Sequence, residues 1–156
     1  MRPIAKGFTL VELLVTVSLV GILAAIAIPN FSSTIQNNRI DTEISDLQRA
    51  LNYARLEAIN RGVTMRIAPV NGADWATELQ VYRASDTATP PTPLRRVPPL
   101  SSGGALSTGG VAVIDFNNLG GLSGSALPVD LTYTRGSTTK VVKVCLTGRI
   151  VVSGNC

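Results

Sequence analysis

Phe8-Thr9-Leu10-Val11-Glu12-Leu13-Leu14-Val15-Thr16-Val17-Ser18-Leu19-Val20-Gly21-Ile22-Leu23-Ala24-Ala25-Ile26-Ala27-Ile28 is an apolar run of 21 residues in which Glu12 is the single charge. Wound as a helix it extends about 31 Å at ~1.5 Å per residue, matching a bilayer core of ~30 Å. Arg2 and Lys6 precede it, and positive charge before a span favours a cytoplasmic N-terminus with the remainder exported. A secretory signal that is removed whole is the competing reading, because Ala25 and Ala27 imitate its small-x-small cleavage pattern. Glu12 decides between the two. A carboxylate in a spanning helix is costly and marks function, and a disposable signal has no use for one. Near the start of the run it can meet a cation at the membrane boundary, such as the amine of a newly made N-terminus.

Beyond Pro29 the chain turns polar and mixed. Proline there is expected to end or kink the first helix, and Gly21 weakens it. Helical periodicity then resumes: Ile40, Ile44, Leu47, Leu51, Ala54 and Ala58 form one apolar stripe, with Arg39, Asp41, Glu43, Asp46, Arg49, Arg55 and Glu57 on other faces. Arg61 and Gly62 supply the stop. The stripe lasts too few heptads for a coiled coil and is suited to seating a β-sheet, and with the apolar run it makes one long, kinked helix. Strand-like stretches follow at 63–67, 78–82, 111–116, 131–134, 140–146 and 149–152, with irregular connections expected at 89–99, 101–110 and 117–125. Thr147-Gly148 reads as a hairpin turn. The length, 156 residues, suits one soluble domain behind one membrane segment.

Cys145 and Cys156 are the two cysteines, and histidine is absent. Two thiols cannot complete a four-ligand zinc site without histidine. A terminal cysteine closing a short loop points to a disulfide in an oxidising compartment, with two unpaired thiols as the alternative. Closing such a loop stabilises by about 3 kcal/mol in the chain-entropy description. The net charge of +4 is unevenly placed: residues 91–156 alone carry +4, and residues 30–90 carry −1. That balance permits contact with a polyanion, or is simply a solvated basic face. Without histidine a serine triad or histidine–metal chemistry is missing, so neither enzymatic activity nor a cofactor is expected.

Lys6-Gly7-Phe8-Thr9-Leu10-Val11-Glu12-Leu13-Leu14-Val15 resembles the processing motif of type IV prepilins and type II secretion pseudopilins. The resemblance implies a membrane peptidase that cuts between Gly7 and Phe8 and methylates Phe8. It also implies that Glu12 neutralises the terminal amine of a neighbouring subunit during assembly. Such a buried pair is better suited to fixing axial register than to adding stability. The implied fold is α+β and pilin-like, a long N-terminal helix packed on an antiparallel β-sheet domain. Its parts would be a cleaved leader at 1–7, a transmembrane assembly helix at 8–29 and a periplasmic domain at 30–156. That domain would hold an amphipathic helix over about 30–61 and β structure over 63–156. Implied partners are other pilin or pseudopilin subunits, the prepilin peptidase and an inner-membrane assembly platform. The implied location is the bacterial inner membrane, single-pass, and then a filament.

Ala54-Arg55-Leu56-Glu57-Ala58-Ile59-Asn60-Arg61-Gly62 resembles a segment of FimT/FimU-like minor pilins and GspH-type pseudopilins, with Leu56 in place of the usual small hydroxyl residue. Trp75, Asp115-Phe116-Asn117, Gly120-Gly121 and the closing Cys145…Gly148-Arg149…Cys156 extend the likeness. Three functions follow from it: a minor pilin of a type IV pilus, a DNA-binding minor pilin acting in DNA uptake, or an H-type pseudopilin of a type II secretion system. For DNA, Gly148-Arg149-Ile150-Val151 supplies one arginine of the Gly-Arg-x-Arg motif, and Val151 stands where the second would be. Arg135, Lys140 and Lys143 are the further cations placed to compensate. Asp115 and Asp130, a conceivable carboxylate pair, are expected to be turn residues at strand ends.

Overall fold

The computed structural model describes residues 7–156, so the leader residues Arg2 and Lys6 lie outside the described residues. The chain divides into two compact units, Met1–Ile40 and Asp41–Cys156. Helix α1 (Leu10–Arg61) runs for 52 residues, supplying the first unit and opening the second. It continues through Pro29, as expected of one long helix made of a membrane-spanning half and an amphipathic half. Proline forfeits one backbone hydrogen bond, yet its fixed φ is already helical, and long apolar helices tolerate the loss.

In the second unit the stripe is buried as the periodicity requires: Ile44, Leu47, Leu51, Ala54 and Ala58 are all buried, as is Ala50. Ala50, Ala54 and Ala58 supply small side chains on this buried face, and Leu47 and Leu51 large ones. The helix stops where Gly62 adopts a φ of 65°, a left-handed conformation that glycine accepts without a Cβ clash.

Nine strands follow: β1 (Met65–Pro69), β2 (Leu79–Arg83), β3 (Arg95–Val97), β4 (Gly104–Ser107), β5 (Ile114–Phe116), β6 (Leu122–Ser123), β7 (Val129–Arg135), β8 (Thr138–Val144) and β9 (Ile150–Val152). They form two antiparallel sheets, ordered β3-β2-β1-β5-β6 and β4-β7-β8-β9. The six expected strands are present with shifted ends. Strands β3, β4 and β6 lie in segments expected to be irregular, and all three are sheet edges. An edge strand needs only one partner, so short stretches rich in glycine or flanked by proline suffice there. The sheets are joined where the Leu122 N–H donates to the Leu146 carbonyl at 2.9 Å. Met65, Ile67, Val81, Ile114 and Phe116 from one sheet, with Leu131, Tyr133, Val142 and Val144 from the other, complete the core. Trp75 is buried with them and donates its indole N–H to the Val111 carbonyl at 2.8 Å.

Leu51 is wholly buried and Leu56 is exposed, so the two should respond differently to truncation. Leu51→Ala should cost about 2–5 kcal/mol and Leu56→Ala within about 0.5 kcal/mol, measured by chemical denaturation.

Candidate assembly and processing site

Thr9 is the cap of α1. Its Oγ1 accepts the Glu12 N–H at 3.2 Å, and its carbonyl accepts the Leu13 N–H at 3.1 Å. Thr9-x-x-Glu12 is the capping-box arrangement, and a carboxylate in the first turn complements the positive end of the helix dipole. Glu12 therefore sits at a defined place in the helix start, which sequence reasoning had valued only for its charge. Both capping residues lie after the Gly7–Phe8 bond, so a cut there leaves the cap intact. Phe8 is 80% exposed. None of Leu10–Ala27 is buried, and this stretch is long and apolar enough to cross a membrane.

At the other end of the chain, Cys145 and Cys156 form the expected disulfide, with Cα atoms 5.4 Å apart. The expected turn is also present: the Cys145 N–H donates to the Arg149 carbonyl and the Gly148 N–H to the Cys145 carbonyl, each at 2.8 Å. Gly148 has a φ of 77°, and a Cβ placed on it would lie 1.7 Å from the Gly120 carbonyl oxygen. Gly120 in turn faces the Ile59 side chain on α1, 2.6 Å from where its Cβ would stand. Arg55 closes this junction, its Nε donating to the Gly120 carbonyl at 3.0 Å. Arg55, Gly120 and Gly148 are 65 and 28 residues apart in the chain. Each was singled out as part of a separate motif, and the fold brings the three motifs to one point.

A second cluster went unrecognised in the sequence. The Arg135 guanidinium donates to Glu43 (3.1 Å), to the Ser101 hydroxyl (2.6 Å), to the Ser102 carbonyl (3.0 Å) and to the Tyr133 hydroxyl (2.8 Å). Tyr133 donates to Glu43 at 2.5 Å, and the Ser101 hydroxyl donates to the same carboxylate at 2.6 Å. Burial opposes the ionised form of Glu43, but hydrogen bonds from Ser101 and Tyr133 and the charge of Arg135 outweigh it and lower its pKa. Burial foremost raises the Tyr133 pKa. The signal was present in the alternation of β7: Val129, Leu131, Tyr133 and Arg135 share the inward parity. An arginine on an inward face demands a carboxylate.

Arg135 therefore has to be corrected as a candidate DNA contact, because it is 9% exposed and fully engaged inside the domain. The other three candidates remain nearer the surface, each with a partner: Lys140 with Asp41 (3.3 Å), Lys143 with Asp130 (3.4 Å) and Arg149 with the Asn155 carbonyl (2.9 Å). Asp115 and Asp130 lie within strands of different sheets rather than at turns. Asp115 takes both arms of Arg66, at 2.8 and 2.7 Å.

A family model described as "Type II transport protein GspH" matches residues 43–148, and one for the "Prokaryotic N-terminal methylation motif" matches residues 2–28. Among solved structures, the type IV minor pilin FimU of Pseudomonas aeruginosa shares the fold, with a TM-score of 0.66 at 20% identity, covering 76% of this chain and 91% of that one. The type IV major fimbrial protein FimA of Dichelobacter nodosus is 38% identical over 65 residues, 40% of this chain and 42% of that protein. A fimbrial protein of Pseudomonas aeruginosa is 47% identical over 55 residues, 33% of this chain and 36% of that protein. The matched region thus spans roughly two fifths or less of these curated relatives.

Three outcomes test the junction and the cluster. Gly148→Ala must displace Gly120 and adopt a left-handed backbone, whose strain alone costs about 1–3 kcal/mol. Arg55→Met should cost about 1–3 kcal/mol through the unpaired Gly120 carbonyl. Both losses are read by thermal unfolding. Glu43 holds its proton less tightly when folded, so it stabilises the domain above its unfolded pKa, and that stability is lost as pH falls through the carboxylate range. Stability measured against pH should show this acid loss, and Glu43→Gln should flatten it.

Proposed function

The chain belongs to the GspH family of type IV pilin-like proteins, and from that premise we propose that it is a minor type IV pilin. In this reading it is a structural subunit, cut between Gly7 and Phe8 and methylated on Phe8. It is held in the inner membrane with residues 30–156 in the periplasm, and then incorporated into a pilus that it primes or caps. It is the substrate of processing chemistry and performs none. The observation that carries the proposal is the 18-residue stretch Leu10–Ala27, which the chain leaves wholly uncovered. Lipid covers such a surface before assembly and the helices of other subunits cover it afterwards.

Cleavage turns the Phe8 amide nitrogen into an ammonium, and N-methylation keeps the charge. Glu12 of an adjoining subunit then supplies the counter-charge. In a packed apolar bundle only one stagger lets the two meet, so the pair sets register. The likeness to FimU favours the minor-pilin reading. The description of the matching family favours a second reading, an H-type pseudopilin of a type II secretion system. The DNA-uptake reading is left with Lys140, Lys143 and Arg149 and loses Arg135 to the domain interior.

Intact-mass measurement on protein from its own host should show loss of residues 1–7 and one added methyl on Phe8; a mature chain beginning after Ala27 would end the proposal. Glu12→Gln keeps the backbone N–H that Thr9 caps while removing the charge. It should therefore be processed and folded normally yet fail to enter filaments, and normal incorporation would reject the pairing role. Deleting the gene should abolish surface pili and leave secretion intact; the opposite result selects the pseudopilin reading.

A further inference from the structure

The loop between β1 and β2 holds Asn71-Gly72, where an asparagine is followed by a glycine, as at no other position in this sequence. The ladder of the two strands closes with the Val70 N–H donating to the Glu78 carbonyl at 2.8 Å, and Trp75 anchors the return of the loop in the core. Asn71, Gly72, Ala73 and Asp74 between those two posts are all exposed. A single long hydrogen bond, from the Asp74 N–H to the Asn71 carbonyl at 3.4 Å, spans the turn. Neither the Asn71 side-chain amide nor the Gly72 N–H has a hydrogen-bond partner among the described residues. Gly72 has a φ of 62°, and nothing lies within 4 Å of where its Cβ would be.

We propose that Asn71-Gly72 is a self-modifying site that converts by intrachain cyclisation into an aspartyl or isoaspartyl residue. The deprotonated backbone nitrogen of Gly72 attacks Asn71 Cγ. The new C–N bond forms as the Cγ–Nδ2 bond breaks, and ammonia leaves after taking a proton from solvent. Water then adds to either carbonyl of the resulting imide, leaving a carboxylate at position 71. No oxidant, metal or enzyme is required, and the overall change is addition of one water and loss of one ammonia. Asparagine is thermolabile for this reason, and glycine as the following residue removes the side chain that would obstruct the attack.

The other described asparagines lack this combination. The Asn117 side-chain oxygen accepts the N–H groups of both Leu119 and Gly121 at 3.0 Å. Asn52 lies within α1, where the helical backbone keeps the following nitrogen away from its side chain, and its amide donates to the Gln48 carbonyl at 3.0 Å. The product at position 71 carries a new negative charge beside Asp74, and in the isoaspartyl form an additional backbone carbon. The loop of an aged subunit therefore differs in charge from that of a new one. This inference does not depend on which filament the chain enters.

The test is peptide mapping with isoaspartyl detection on the full-length chain in detergent, incubated folded at mildly alkaline pH. Asn71 should lose its amide to a mixture of aspartyl and isoaspartyl products while Asn117 and Asn155 keep theirs. Asn71→Gln, which retains an amide but lengthens the side chain, should abolish the isoaspartyl signal, and Gly72→Ala should suppress it. Retention of the Asn71 amide in the folded chain, with conversion only in denaturant, would overturn the proposal by showing that the fold protects the site. Faster conversion at any other asparagine would overturn it as well.

Discussion

Both sheets close on a single face of α1, formed by Ile44, Leu47, Ala50, Leu51, Ala54 and Ala58. Burial of that face is the constraint on which the domain depends. Its two ends differ in chemistry. Toward Arg61, Gly120 comes so near α1 that even a methyl group on it would strike the Ile59 side chain. Toward Asp41 the contact is polar, through Glu43, Tyr133 and Arg135. Apolar burial supplies the bulk of the driving force, at roughly 25 cal/mol per Å². The directional groups at either end decide how the sheets are seated.

Those directional groups explain why charged residues are found inside a small domain. An ion pair with 8% and 15% of its side chains exposed, as for Arg135 and Glu43, loses much of its hydration. Such pairs contribute little to net stability unless the remaining donors are satisfied. Here they are, by Ser101, Ser102 and Tyr133, so the cluster ties the β3–β4 connection to the helix and to β7 at once. Arg55 does the same for the β5–β6 turn and, through Gly148, for the closing hairpin. The disulfide adds a covalent tie to that hairpin from the far side.

The first unit obeys a different solvent. Its side chains from Leu10 to Ala27 remain uncovered, a condition that water penalises and lipid or neighbouring helices relieve. Continuity of α1 through Pro29 fits that setting, since a helix is the conformation that satisfies its own backbone without water. Thr9 and Glu12 finish the exposed end with local bonds that processing at Gly7 would leave undisturbed.

Much of this was legible in the sequence because it rests on periodicity and on local chemistry. The apolar run, the helical stripe, six of the nine strands, the Thr147-Gly148 turn and the paired cysteines each follow from residues close together in the chain. Edge strands β3, β4 and β6 were not legible, because their short, turn-rich sequences become strands only when a neighbour offers its ladder. Arg135 shows the same limit at a candidate site. Counted as a charge it looked free to meet phosphate, while the carboxylate that claims it lies 92 residues away in the chain. The sequence by itself determined the long helix, six of the strands and the uncovered apolar stretch, since those depend on neighbours a few residues apart. Only the tertiary structure decided which charges remain available, because pairing depends on distances that chain separation does not encode.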